Sequence, residues 1–275
     1  MDDSEIVAAL AAGDPAGLEA AYDTYAAPLY GYCRWMLRDP AQAAKALRET
    51  FAVLAKPGGG PRDAGQLRAR LYGIARDQCY RRLRTAEPGF DESADWPAGA
   101  ARNGQAAEAG HQAELAEVRR LIRETLAELK PHEHEVVELS VRHGLDDAEL
   151  AAVLEVSWSR AHSLAAHARE HLEKALDALL IARTGRGCCP ELAALLADWD
   201  GRLTVETGRL MARHLEHCET CASLRHGTLR PEVLSRLLPL AELPAALREP
   251  ILERCRGSGS GVPGPKLATY QSICW

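Results

Sequence analysis

"DDAELAAVLEVSWSRAHSLAAHAREHL", residues 146–172, holds two helices and the turn between them. Asp146 with Glu149 three positions on is a capping-box spacing, in which each side chain closes a backbone N–H of the other's residue. A short helix therefore starts here and runs through DAELAAVL. Glu155, Val156 and Ser157 form the turn, and the Ser157 hydroxyl is placed to N-cap a longer helix that begins at Trp158. Short helix, tight turn and second helix make a helix-turn-helix outline.

Working outward, "KPHEHEVVELSVRHG" reads as a helix with Pro131 in its first turn and Gly144 at its end, and an amphipathic helix precedes it over 115–129. Residues 87–107, rich in Pro, Gly, Ala and acids without a period, read as a linker. Upstream of it, Leu18, Tyr22, Tyr25, Leu29 and Tyr32 share one helical face. Asp39-Pro40 then starts a helix that turns Ala43, Ala44, Leu47, Phe51 and Leu54 inward, and "KPGGGP" stops it. A third helix buries Leu67, Leu71, Ile74 and Leu83, and carries seven arginines against two aspartates between Arg62 and Arg84.

Composition agrees with an all-α chain. Aromatics make up 5% of it, β-branched runs are scarce, and Ala, Leu, Glu and Arg dominate. The net charge of −6 supplies no general attraction for nucleic acid, so any basic surface must be local. The first residues, "MDDSEIVAALAAGDP", do not read as a signal peptide, and no apolar run is long enough to span a membrane. A cytoplasmic location is expected, with the eight cysteines suited to metal binding or redox sensing rather than to a disulfide framework.

Residues 1–180 resemble an extracytoplasmic-function RNA polymerase sigma factor, which has two small helical domains joined by a flexible linker. "LEAAYDTYAAPLYGYCRWMLRDPAQAAKALRETFAVL" with "LRARLYGIARDQCYRRLR" carries the likeness in the first domain (1–86). "LAELKPHEHEVVELSVRHGLDDAELAAVLEVSWSRAHSLAAHAREHLEKAL" carries it in the second (108–182). The resemblance implies core RNA polymerase and promoter DNA as partners. It places Lys45, Arg48 and Glu49 on the polymerase-facing helix, and Trp158, Ser159, Arg160, His162 and Ser163 on the first turns of a recognition helix, with Arg169 further along. Arg76, Arg81, Arg82 and Arg84 fit a strand-tracking role, with Tyr72 and Tyr80 as stacking surfaces. The chain departs from the family pattern at Ala44, Lys45 and Arg48, where acids or their neighbours are usual, and at Arg70, where tryptophan is common. It departs again at Glu155, where a turn glycine is usual and where Glu must take a costly backbone shape.

"CCPELAALLADWDGRLTVETGRLMARHLEHCETCASL", in the third block (187–256), resembles a zinc-binding anti-sigma domain. His214, Cys218 and Cys221 have its His-x3-Cys-x2-Cys spacing, and on a helix these residues would face one ion from successive turns. The resemblance implies an upstream cysteine as fourth ligand, Cys188 or Cys189, and its spacing favours Cys188. Four protein ligands for Zn2+ leave no open position, so the site is structural or regulatory and no enzyme activity is expected. Cys33 and Cys79 read as core residues, Cys255 as a spare thiol, and His132, His134 and His143 as solvent-exposed. Residues 257–275 begin with GSGSG and read as a linker and tail of an engineered kind.

The expectation is an all-α protein of two sigma-like domains and a C-terminal zinc-bound helical domain. Its expected function is that of a sigma factor regulated in cis by an anti-sigma-like block, open to a further regulatory protein. The alternatives are a degenerate sigma-like adaptor that binds proteins without initiating transcription, and a metal or redox sensor.

Overall fold

A computed structural model describes residues 1–61, 63–85, 119–120, 122, 125–126, 129–199, 205–224 and 240–257. Every regular element among them is helical. The expected linker (87–107), most of the helix over 115–129 and nearly all of the 257–275 tail lie outside the described residues.

Four helices open the chain: α1 (Asp3–Ala12), α2 (Pro15–Leu37), α3 (Pro40–Leu54) and α4 (Leu67–Thr85). Asp14 and Asp39 cap α2 and α3 through backbone N–H groups of the first turn, each followed by a proline whose missing N–H costs nothing there. The expected apolar faces of α2 and α3 meet, with Tyr22 against Phe51 at 5.1 Å between ring centroids. Ala44 and Leu83 lie at the margin of this core rather than within it. Sequence reasoning passed over α1, although Asp2 and Glu5 form a reciprocal capping box at its start.

In the second unit, α5 (Pro131–Val137) runs into a wide turn of π type over 138–142. Gly144 follows with φ 63°, a conformation open to it because it has no Cβ. Then come α6 (Asp147–Leu154) and α7 (Trp158–Thr184), with Asp146 and Ser157 capping as their positions predict. Glu155 ends α6 at φ 56° and ψ 41°, the left-handed shape expected of it.

α7 joins two cores. Ala161, Ala165, Ala168, Leu172 and Leu176 pack into a core that also includes α1–α4. Ala178, Ile181 and Ala182, on the same helix, form a second core with Cys189, Leu192, Leu196, Met211, Leu215 and Cys221. The helix ends at Thr184, within the expected junction, yet its last two turns already belong to the third block. At 27 residues it is about 40 Å long, so its ends serve separate hydrophobic clusters.

The third block holds α8 (Pro190–Leu195), α9 (Val205–His217), α10 (Glu219–Ala222) and α11 (Arg248–Gly257). α11 leaves the second core and packs on α2 and α3, burying Ile251, Leu252 and Cys255 there. Cys255 is therefore a free thiol, outside the metal cluster, buried in the first core.

Candidate metal centre

Cys189, His214, Cys218 and Cys221 bring their donor atoms within 4.8 Å of one another. Cys189 Sγ lies 3.5 Å from His214 Nε2 and 3.8 Å from Cys218 Sγ, and His214 Nε2 lies 3.2 Å from Cys221 Sγ. A tetrahedral ion with zinc's bond lengths would hold sulfur pairs about 3.8 Å apart and sulfur–nitrogen pairs about 3.6 Å apart. The cluster is close to that size and can hold a metal ion, and its donor set is compatible with zinc. Cys189 and Cys221 are buried and the other two half-buried, so the thiolates have an apolar floor.

Two details differ from the sequence reading. The fourth donor is Cys189; Cys188 is exposed and outside the cluster, against the preference drawn from spacing. Cys189 is the N-cap of α8, in extended conformation just before Pro190, and its sulfur accepts the Leu192 N–H at 3.4 Å. That turn aims Cys189 into the second core and its neighbour away. The second correction concerns the helix. Residues seven apart on a continuous α-helix are about 10 Å apart along its axis, too far to share one ion. α9 instead stops at His217, Cys218 is extended at φ −107°, and α10 starts afresh, swinging Cys221 back to His214.

The electrostatics of the thiols are unequal. The Cys221 backbone N–H lowers the Cys218 pKa, whereas burial pushes the Cys221 thiol up to about 12. A bound cation would offset that burial cost, because metals bind thiolates rather than thiols.

The residues expected to touch nucleic acid divide into two groups. Trp158, Ser159, Arg160, His162 and Ser163 are exposed on the first turns of α7. Trp158 stacks on His162 at 5.2 Å, and His162 Nδ1 is 2.7 Å from Asp147 Oδ2. Arg160 borders a cleft of about 190 Å³, mostly apolar, shared with His132, Glu135, Val136, Leu154, Val156 and Leu164. Arg169 is half-buried. In α4, Arg81 and Arg84 are exposed, but Arg82 pairs with Glu49 at 2.8 Å and Arg76 is engaged by Glu135. Lys45 is exposed and Arg48 half-buried on α3.

Sequence reasoning did not anticipate where Arg76 and its neighbours would go. Glu135, on α5, is a buried carboxylate reaching into the first unit. Its Oε1 accepts from Tyr32 Oη and Arg76 Nε, both at 2.9 Å, and its Oε2 accepts from Tyr80 Oη at 2.9 Å. Burial opposes the charge on Arg76, but Glu135 outweighs it and raises the Arg76 pKa. Burial, then the Glu135 charge, push Tyr80 up to about 12.

Tyr72 is buried and hydrogen-bonds His143 Nδ1 at 2.9 Å, so its ring is closed to nucleic acid, whereas Tyr80 is half-buried with the Arg76 guanidinium 4.7 Å over its ring. His143 is buried, His132 is half-buried, and Trp35 Nε1 donates to a half-buried His134 at 3.3 Å. The expectation of three exposed histidines fails because His134 and His143 pack at the seam between the units and His132 borders the cleft beside Arg160. Arg68 extends this seam, donating to the His143 carbonyl and pairing with Glu149 at 3.2 Å.

No family model matches the chain, and a search of curated proteins returns no match. No helix among the described residues is long and apolar enough to cross a membrane.

Proposed function

We propose that this protein is a sigma-like transcription factor held closed by its own C-terminal zinc-binding block. The observation that carries this reading is the position of α11 across α2 and α3. α3 is the helix on which the sequence resemblance puts Lys45, Arg48 and Glu49, the residues facing polymerase. Arg248 makes two 2.9 Å contacts to Asp23, Arg256 pairs with Glu19, and Ile251 and Leu252 are fully buried at the contact. Lys45 and Glu49 themselves stay exposed, so α11 would act by occupying the space beside them. A tethered segment has a high effective concentration, so modest contacts are enough to keep it docked there. In this reading Zn2+ at Cys189, His214, Cys218 and Cys221 stiffens the block that delivers α11, and core RNA polymerase and promoter DNA are the partners of the opened form.

The test is binding of core RNA polymerase by the full chain and by a Leu252→Glu/Arg248→Glu variant, with circular dichroism to check folding. Stronger binding and promoter-dependent transcription by the variant support the closed-factor reading; equal binding and transcription sink it. One observation favours the adaptor alternative. Over residues 146–174 the helix-turn-helix carries Asp146, Asp147, Glu149, Glu155, Glu170 and Glu173 against Arg160, Arg169 and Lys174, an unhelpful balance next to phosphate. Failure of both chains to bind polymerase and promoter DNA would move the assignment to that adaptor role.

A further inference from the structure

His167 and His171 lie four residues apart on α7, so their rings project from the same face one turn apart. Opposite them stands Glu133, in the first turn of α5. Its side chain is only 4% exposed, yet each oxygen is turned to a different imidazole. Oε1 lies 3.4 Å from His167 Nε2 and Oε2 lies 3.1 Å from His171 Nδ1. Oε2 also accepts the Lys130 backbone N–H at 3.2 Å, which anchors the carboxylate. The two rings are 6.2 Å apart and, unlike the carboxylate, reach solvent, with side chains 68% and 43% exposed.

We propose that Glu133, His167 and His171 form a second, exchangeable binding site for a first-row divalent cation. Two imidazoles and one carboxylate suit zinc, cobalt or nickel rather than magnesium or calcium, which prefer all-oxygen shells. Three protein ligands leave positions for water, in contrast to the four-donor cluster in the third block. Two rings on one tetrahedral ion would sit with centroids about 5 Å apart, from the usual metal–nitrogen length. Closing from 6.2 Å needs only rotation of two exposed side chains about a carboxylate that is already held.

Glu133 is also held in its charged form. Burial would raise its pKa, but the Lys130 N–H and His171 outweigh that and lower it. A bound ion would pin α5 to α7, two helices of the helix-turn-helix unit, and is independent of the sigma-like reading and of the zinc cluster.

The experiment titrates Co2+ into full-length protein already carrying one equivalent of zinc, followed by calorimetry and visible absorption. One further equivalent should bind, with ligand-field bands but no thiolate-to-cobalt charge-transfer band. A His167→Ala/His171→Ala variant should lose that equivalent and keep the first. His167 is largely exposed and His171 about half so, and neither belongs to a hydrophobic core, so the fold should survive the change. Glu133→Gln should weaken the second equivalent by at least about tenfold. Glutamine still serves at this capping position, so α5 keeps its start. Absence of a second equivalent up to about 1 mM Co2+, a Kd at the weak limit of specific binding, overturns the proposal. So does a second equivalent that persists in the double histidine variant.

Discussion

Replacing Glu135 with alanine should be among the most damaging single changes to this protein. The substitution leaves the Arg76 guanidinium, on a side chain 13% exposed, facing a vacated site. It also strips the fully buried Tyr32 hydroxyl of its acceptor. Breaking a buried ion pair by removing one partner costs about 3–5 kcal/mol, and an orphaned buried hydroxyl accounts for about 1–3 kcal/mol of such a loss. Tyr80 and the second Arg76 contact, at 3.4 Å, add less because both groups are nearer to water. The expected total is about 4 kcal/mol, a large share of a typical folding free energy. Glu135→Gln, which keeps the shape and one acceptor but not the charge, should cost about half as much.

Urea denaturation read by tryptophan fluorescence is a fitting assay, because Trp35 packs on His134 at this seam, 5.0 Å between ring centroids. Lys174→Ala, which removes a solvent-exposed pair with Glu170, serves as the control and should be silent. A double-mutant cycle of Glu135→Ala with Arg76→Met should return a coupling of about 1–3 kcal/mol. A Glu135→Ala cost below about 1 kcal/mol, or a coupling near zero, would refute the claim that this carboxylate ties the two units together.

Other perturbations have equally definite outcomes. Cys218→Ser should abolish retention of one zinc equivalent by elemental analysis and lower the melting temperature, whereas Cys188→Ser should change neither, since Cys188 is outside the cluster. His134 has its pKa pulled down from 6.5 to about 4, by burial first, with Glu138 acting against it. It stays neutral in the fold while the unfolded chain takes up a proton. Its contribution to stability is therefore complete above about pH 6.5 and is lost toward pH 4, with a slope of up to about 1.4 kcal/mol per unit that His134→Gln should flatten. Glu155→Gly should stabilise the protein by up to about 1 kcal/mol in thermal melts, because glycine relieves the left-handed strain at φ 56°.

What the sequence determined by itself is what is encoded within a turn or two of chain. Helical periods showed in Leu18, Tyr22, Tyr25, Leu29 and Tyr32, all buried on one face of α2. Caps at Asp39, Asp146 and Ser157 stood where the residue types demand, because the bonds they make span two or three positions. The donors His214, Cys218 and Cys221 were legible from their spacing, and so was the strained turn at Glu155. The tertiary structure alone decided the choice of Cys189 over Cys188 and the helix break that lets Cys221 reach His214. It alone put α7 into two cores and sent α11 back to α2 and α3. It also turned Arg76, Tyr72 and Tyr80 from a nucleic-acid face into a seam. Glu135 meets Tyr32 across 103 positions and Arg76 across 59, and no local pattern records such a pairing. A buried charge finds its partner only once packing has excluded water, and which partner that is depends on how whole helices dock.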